Sequence, residues 1–239
     1  NQGTVWADPS TTAKYVNGIW QDSQSCPSLG PDDTYSDTFL SEACSDFASC
    51  GATFDVMVWA DHSEDVEESD EYNNCSEINA VTRPCPDLVV SKSVTLDEYG
   101  NFVVSYNVTN QGTIWADPST TVKYIDGGWE DSQPCPALGP TESYSSAFDP
   151  EFCSDFASCG ETFDVEVCAD NDGEVEEGDE YNNYDVNIVE RPCPDLVVSA
   201  SVALDEYGDF TVSYNVTNQG TIWAVPSTTA KYVDGVWLD

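Results

Sequence analysis

The chain has 239 residues, 45 of them acidic and 6 basic, for a formal charge of −39. A surface of that sign repels nucleic acid and anionic membranes, which excludes both as partners. A hydrophobic content of 40% with 12% aromatics is enough for packed cores and argues against a disordered polyanion.

The chain opens on Asn1-Gln2-Gly3-Thr4, and the same NQGT begins again at residues 110 and 218. One module of roughly 109 residues is therefore repeated. Residues 1–84 hold it from its third strand onward, 85–192 hold it complete, and 193–239 hold only its first three strands. The chain lacks an initiator Met and a signal peptide, so it reads as a processed chain or a piece of a longer one. The open pieces at its ends suit either a window of a longer array or a tail that donates strands to the head of another copy.

In the complete module, Leu88-Val89-Val90 with Val94 and Leu96 predict a first strand, closed by a turn at Asp97–Asn101 in which Gly100 takes positive φ. Phe102, Val104, Tyr106 and Val108 alternate with smaller or polar residues, the period of a second strand. A third strand spans Ser119–Ile125. Asp126-Gly127-Gly128 is a hairpin signal, and Trp129 begins the return strand. A short strand follows at Tyr144–Phe148. Thr162–Ala169 places Phe163, Val165 and Val167 on one face, and a last strand surrounds Val186 and Ile188. With about seven short strands per module and no helical period, the fold class is all-β: tandem immunoglobulin-like antiparallel sandwiches.

PDLVV at the first strand, YNVTNQGT at the end of the second, the YxDGxW hairpin, and the elements DVEESDEYNN (Asp65–Asn74) and EVEEGDEYNN (Glu174–Asn183) resemble the CARDB family. These are cell-adhesion-related, immunoglobulin-like modules of prokaryotic surface proteins. The resemblance covers essentially the whole chain. It implies an extracellular stalk, spacer or adhesive role and no chemistry of its own.

Ten cysteines point to an oxidising, extracytoplasmic setting, and the absence of CxxC pairs with one histidine, His62, gives zinc little support. Cys26, Cys44, Cys50 and Cys85 recur as Cys135, Cys153, Cys159 and Cys193. If all four of a set share the pole facing the next module, the short spacings favour Cys44–Cys50 and Cys153–Cys159, leaving Cys26–Cys85 and Cys135–Cys193 as clamps to the linker. Sequence alone permits three pairings per set. Cys75, placed in a one-residue insertion after Asn74, and Cys168, which replaces Trp59, break the repeat and suit bridges between chains or modules. Asn74, Asn107 and Asn215 head glycosylation sequons. Asp170, Asp172 and Glu174 form a loop that could supply oxygens to calcium; a solvated acidic loop is the preferred reading, and no other cofactor is expected.

No constellation supports an enzyme: a histidine present in one module cannot serve a repeated general base, and no nucleophile or phosphate motif is found. Six of seven tryptophans (Trp6, Trp20, Trp115, Trp129, Trp223, Trp237) recur, which suits packing. The function expected is structural: an extracellular filament, stalk or surface fibre, stiffened by disulfides and built from copies of itself. The alternative is an adhesin arm that binds a carbohydrate or protein on another surface. No apolar run is long enough to span a bilayer as a helix.

Overall fold

The computed structural model describes Asn1–Trp237; Leu238 and Asp239, the end of the third predicted piece, lie outside the described residues. Contacts divide the chain into two compact units. The first is Asn1–Asp87 with Gln111–Trp115 and Glu176–Glu180; the second is Leu88–Asn110, Ala116–Val175 and Tyr181–Asp239.

The first unit contains one antiparallel sheet built from β1 (Ser10–Val16), β2 (Ile19–Cys26), β3 (Thr53–Trp59) and β4 (Cys75–Thr82), in the order β2-β1-β3-β4. Asn17 (φ 50°) and Gly18 (φ 74°) turn β1 into β2. Two successive left-handed residues give the turn whose twist matches paired strands, which is why Asn-Gly and Asp-Gly recur at this point of each module. Val16 and Phe54 are buried on one face of the sheet, and Ala13, opposite Trp59, is buried on the other.

The β3–β4 register corrects the predicted place of the extra residue. Trp59 pairs with Cys75 and Val56 with Ile78, but Phe54 pairs with Val81, so the surplus lies at Asn79–Ala80. Ala80 takes φ 56°, and its N–H donates to Asp55 Oδ1 at 2.7 Å. A bulge absorbs one residue without flipping the face of the strand beyond it. Cys75 is therefore a substitution, the counterpart of Tyr184 in the next repeat.

The second unit contains the complete sandwich. One sheet is β5 (Leu88–Leu96) beside β6 (Asn101–Asn110), with β9 (Ser143–Ala147) and β10 (Glu151–Phe152) in turn along the other edge of β6. The facing sheet runs β12-β11-β7-β8, from β7 (Ser119–Ile125), β8 (Gly128–Cys135), β11 (Thr162–Cys168) and β12 (Tyr184–Glu190). Alternation dictates the core: Phe102, Val104, Tyr106 and Val108 of β6 meet Phe163, Val165 and Val167 of β11, all at most 3% exposed. The rings of Phe102 and Phe163 lie 5.3 Å apart. Each such side chain contributes roughly 1.5–3 kcal/mol by leaving water. Lys92 of β5 joins the sheets by an ion pair to Asp185 of β12 at 3.3 Å. Desolvation pushes the Lys92 ammonium down from its ordinary value, and the Asp185 carboxylate opposes that shift.

After β12, β13 (Leu196–Leu204) and β14 (Phe210–Asn218) form a hairpin in the register of β5–β6, with Leu196 opposite Asn218 as Leu88 is opposite Asn110. β15 (Tyr232–Val233) and β16 (Val236–Trp237) pair beyond it.

The recurrent tryptophans do not enter a core. All six are 53–71% exposed. They sit beside hairpin turns or at the ends of the NQGTVW and NQGTIW segments, where strand alternation does not aim them inward.

Candidate functional site

The residues that join one repeat to the next are held by a disulfide and by backbone hydrogen bonds. In the first unit Cys50 is bonded to Cys85, with Cα atoms 5.6 Å apart. Thr113 N–H donates to Cys85 O at 2.8 Å, and Gln111 N–H to Asp87 O at 2.7 Å. Gly112 crosses so close to Cys85 and Pro86 that a Cβ would collide with their backbone, which is why NQGT needs its glycine. Arg83 donates to Ala48 O at 3.1 Å and pairs with Glu176 at 2.8 Å. Hydrogen bonding by Arg83, then by the Cys50 N–H, holds the Glu176 carboxyl below its ordinary range.

The second unit repeats this clasp. Cys159 is bonded to Cys193, with Cα atoms 5.7 Å apart. Thr221 N–H donates to Cys193 O at 2.9 Å, Gln219 N–H to Asp195 O at 2.7 Å, and Gly220 crosses the Cys193–Asp195 backbone as Gly112 crosses Cys85. Asn218 organises the turn: its Nδ2 donates to Ile222 O at 2.7 Å and its Oδ1 accepts from Asp195 N and Gly220 N, each at 3.0 Å. Beyond the turn, Trp223 N–H donates to Glu98 O and its indole Nε1–H to Glu98 Oε2, both at 3.0 Å.

This pairing corrects the one expected from spacing. Cys26 lies opposite Ser10 at the start of β1, whereas the Cys44 turn lies past the other end, where Asn17 Nδ2 donates to Phe47 O. Likewise Cys135 is opposite Ser119, near the Asn110 end of β6, while Cys153 N–H donates to Gly100 O at its opposite end. The four thiols of a set therefore do not share a pole. A disulfide needs Cα atoms within about 7 Å, and only Cys50 with Cys85 and Cys159 with Cys193 meet that condition in bonded form. Cys135 and Cys153 are buried core residues, and burial pushes the Cys135 thiol up to about 11 and the Cys153 thiol in the same direction.

The acidic loops differ from expectation in the same way. Of the predicted set, Asp172 accepts from Asn171 Nδ2 at 3.1 Å and Glu174 from Thr120 Oγ1 at 3.1 Å, while Asp170 Oδ1 and Oδ2 accept from the N–H groups of Glu174 and Val175. In the first unit the carboxylates that converge are Asp61, Glu68 and Glu71, with oxygens within 4.8 Å of one another. Asp61 is 4% exposed and accepts from the N–H groups of Asp65 and Val66 at 3.0 Å. Asn74 Nδ2 donates to Glu68 at 3.3 Å and to Glu71 at 3.4 Å. One repeat later in sequence their counterparts are Asp170, Glu177 and Glu180. Three carboxylates with no nitrogen or sulfur donor could hold a hard divalent cation. The missed signal was the i, i+7, i+10 recurrence of acidic residues in both copies.

The CARDB family model matches residues 1–78 and 85–187. The chain belongs to the CARDB family. Among solved structures, the CARDB domain of the PF1109 protein from Pyrococcus furiosus, described in complex with di-metal ions, is 21% identical, with a TM-score of 0.39, over 44% of this chain and 93% of that one. A domain of a Methanosarcina acetivorans protein assigned to the cell surface is 22% identical, with a TM-score of 0.36, over 45% of this chain and 92% of that one. The β-glucosidase 3B of Thermotoga neapolitana is 15% identical, with a TM-score of 0.32, over 46% of this chain and 16% of the enzyme. No curated protein matches the chain. CARDB modules are non-catalytic, and membership together with two disulfides fits a structural or adhesive role at a cell surface. Among the described residues no helix is long and apolar enough to cross a membrane.

This CARDB chain also holds a buried lysine in an ion pair in each unit. Lys123 Nζ, on a side chain 1% exposed, pairs with Glu151 at 2.8 Å and lies 5.0 Å above the Phe148 ring. Lys14, Glu42 and Phe39 repeat it in the first unit, at 2.7 and 5.3 Å. The available signal was scarcity. With only six basic residues in the chain, their recurrence as Lys14, Lys123 and Lys231, and as Arg83 and Arg191, marks structural tasks. Arg191 donates to Ala157 O at 2.8 Å, as Arg83 does to Ala48 O. Cys168 lies opposite Tyr184 where Trp59 lies opposite Cys75, so the two unmatched cysteines occupy the two sides of one cross-strand station in different repeats.

Proposed function

We propose that this chain is a run of structural modules, framed as 1–84, 85–192 and 193–239, from an extracellular filament, stalk or surface fibre. The observation that carries the reading is the clasp, present twice with the same parts: a disulfide from the module's loop to the CPD linker, and a glycine turn folded over that linker. A linker held by a covalent bond and two backbone hydrogen bonds resists bending where a Gly/Ser tether would not. Trp223 on Glu98 extends the hold to the β5–β6 turn, and Trp115 is the same residue one repeat earlier. Successive modules come either from one longer chain or from further copies of this one, and both give a head-to-tail row. Electron microscopy of material recovered from the cell exterior should show linear filaments of beaded modules; short discrete particles in native buffer would overturn the reading.

We further propose that calcium occupies Asp61, Glu68 and Glu71 and relieves the mutual repulsion of their carboxylates. Chelation should lower the unfolding temperature of the chain and calcium should restore it. Replacing Glu68 by Gln should remove most of that response, and an unfolding temperature indifferent to calcium would exclude the site. A second reading, an adhesin arm, draws support from Trp20 and Trp129, which stand exposed beside hairpin turns where a sugar ring or a partner side chain could stack.

A further inference from the structure

We propose that the outer face of the sheet formed by β5, β6 and β9 is a glycan-bearing face, with the Asn107 amide as its attachment point. The inference rests on the extracellular reading above. Alternation along β6 buries Phe102, Val104, Tyr106 and Val108 and leaves Val103, Ser105, Asn107 and Thr109 on the opposite face. Register then fixes their neighbours. Asn107 lies between Ser91 and Ser145, Ser105 between Ser93 and Ala147, and Thr109 between Val89 and Ser143. Not one of these residues is charged, in a chain with 45 acidic residues. The serines are also small. With Asn107, all of them but Ser143, together with Ser146, Tyr106 and Lys92, whose ammonium is paired with Asp185, line a shallow depression of about 520 Å³, which leaves room beside the amide for a monosaccharide.

The amide is already oriented for modification. Asn107 Nδ2 donates to Thr109 Oγ1 at 2.9 Å, and Asn107 Oδ1 accepts from Ser145 Oγ at 2.8 Å. An N-glycosidic amide keeps one N–H and its carbonyl oxygen, so both hydrogen bonds can survive attachment. The sugar comes from a glycosyl donor of the phosphate-ester class. The donor's bond from C1 to the phosphate oxygen breaks, a bond from Nδ2 to C1 forms, one Nδ2 proton is released, and the phosphate leaves with the electron pair of the broken bond.

The hairpin of β13 and β14 repeats the face. Asn215 lies opposite Ser199, Ser213 opposite Ser201, and Thr217 opposite Val197, again without a charge. The third sequon differs in kind. Asn74 Nδ2 donates to both Glu68 and Glu71, inside the acidic cluster, so a sugar there would displace those contacts. The structure thus separates three matches of one short motif into two sites and one chance occurrence.

Peptide mass spectrometry of the full chain, taken from the exterior of its own cells, tests this. The peptides containing Asn107 and Asn215 should carry sugar mass and the Asn74 peptide should not. In variant chains, Asn107→Gln and Thr109→Ala should each remove the modification at Asn107, while Thr109→Ser should keep it. An unmodified Asn107 in exterior material would overturn the inference; absence of the chain from the exterior would overturn the surface reading along with it.

Discussion

Replacing Glu151 by Ala should destabilise the complete module by about 3–5 kcal/mol, the usual cost of stripping the partner from a buried charge. The magnitude follows from the asymmetry of the pair. The Lys123 side chain is 1% exposed and cannot recover its hydration, whereas Glu151 is 25% exposed and can. The Phe148 ring, 5.0 Å from the ammonium, offers about 0.5–2 kcal/mol and cannot replace the carboxylate. Lys123→Met should therefore cost less than Glu151→Ala, because it removes the buried charge and leaves the carboxylate near water. Hydrogen exchange of the β6 and β11 amides reads this module separately from the other unit. Equal losses in the two variants would show that the pair is an ordinary surface bridge, worth about 1 kcal/mol or less.

Reduction of Cys159–Cys193 should cost the second clasp about 4 kcal/mol, from the chain entropy released when a loop with a sequence separation of 34 is opened. Cys50–Cys85, with a separation of 35, should lose a similar amount. Cys193→Ser should reproduce the loss in the second clasp alone, measured as a lower unfolding temperature that reductant no longer changes for that transition. Cys153→Ser should respond differently: it replaces a buried, unbonded thiol by a hydroxyl, so reductant sensitivity persists. A non-reducing peptide map is the direct check. Fragments linking Cys50 to Cys85 and Cys159 to Cys193 are expected, and a fragment linking Cys44 to Cys50 would overturn the pairing.

The two expectations share a cause. In a chain with 45 acidic residues and 6 basic ones, additional carboxylates raise mutual repulsion, so basic residues are effective only where burial strengthens their interaction. Lys123 and Lys92 supply that inside the sandwich, Arg83 and Arg191 fasten the linker, and covalent bonds carry the rest of the junction.

The period, the strands and the hairpins were legible in the residues because each depends on neighbours along the chain. Phe102 to Val108 alternates, so one face is core; Asp126-Gly127 accepts left-handed φ, so the chain turns back there. Strand parity likewise puts Phe163, Val165 and Val167 on one face. What parity cannot tell is which end of a strand a distant loop reaches. Cys44 and Cys50 are close in sequence, yet Cys50 reaches the linker and Cys44 does not, because bonding depends on which loops the two-sheet topology carries to the linker. Asp61, Glu68 and Glu71 converge for the same reason, across a loop whose path is set by the hydrogen bonds of Asp61 rather than by spacing. The extra residue of the first repeat was visible as a length difference, but only the β3–β4 ladder placed it at Ala80. Local periodicity fixes faces; the meeting of ends is decided by the fold.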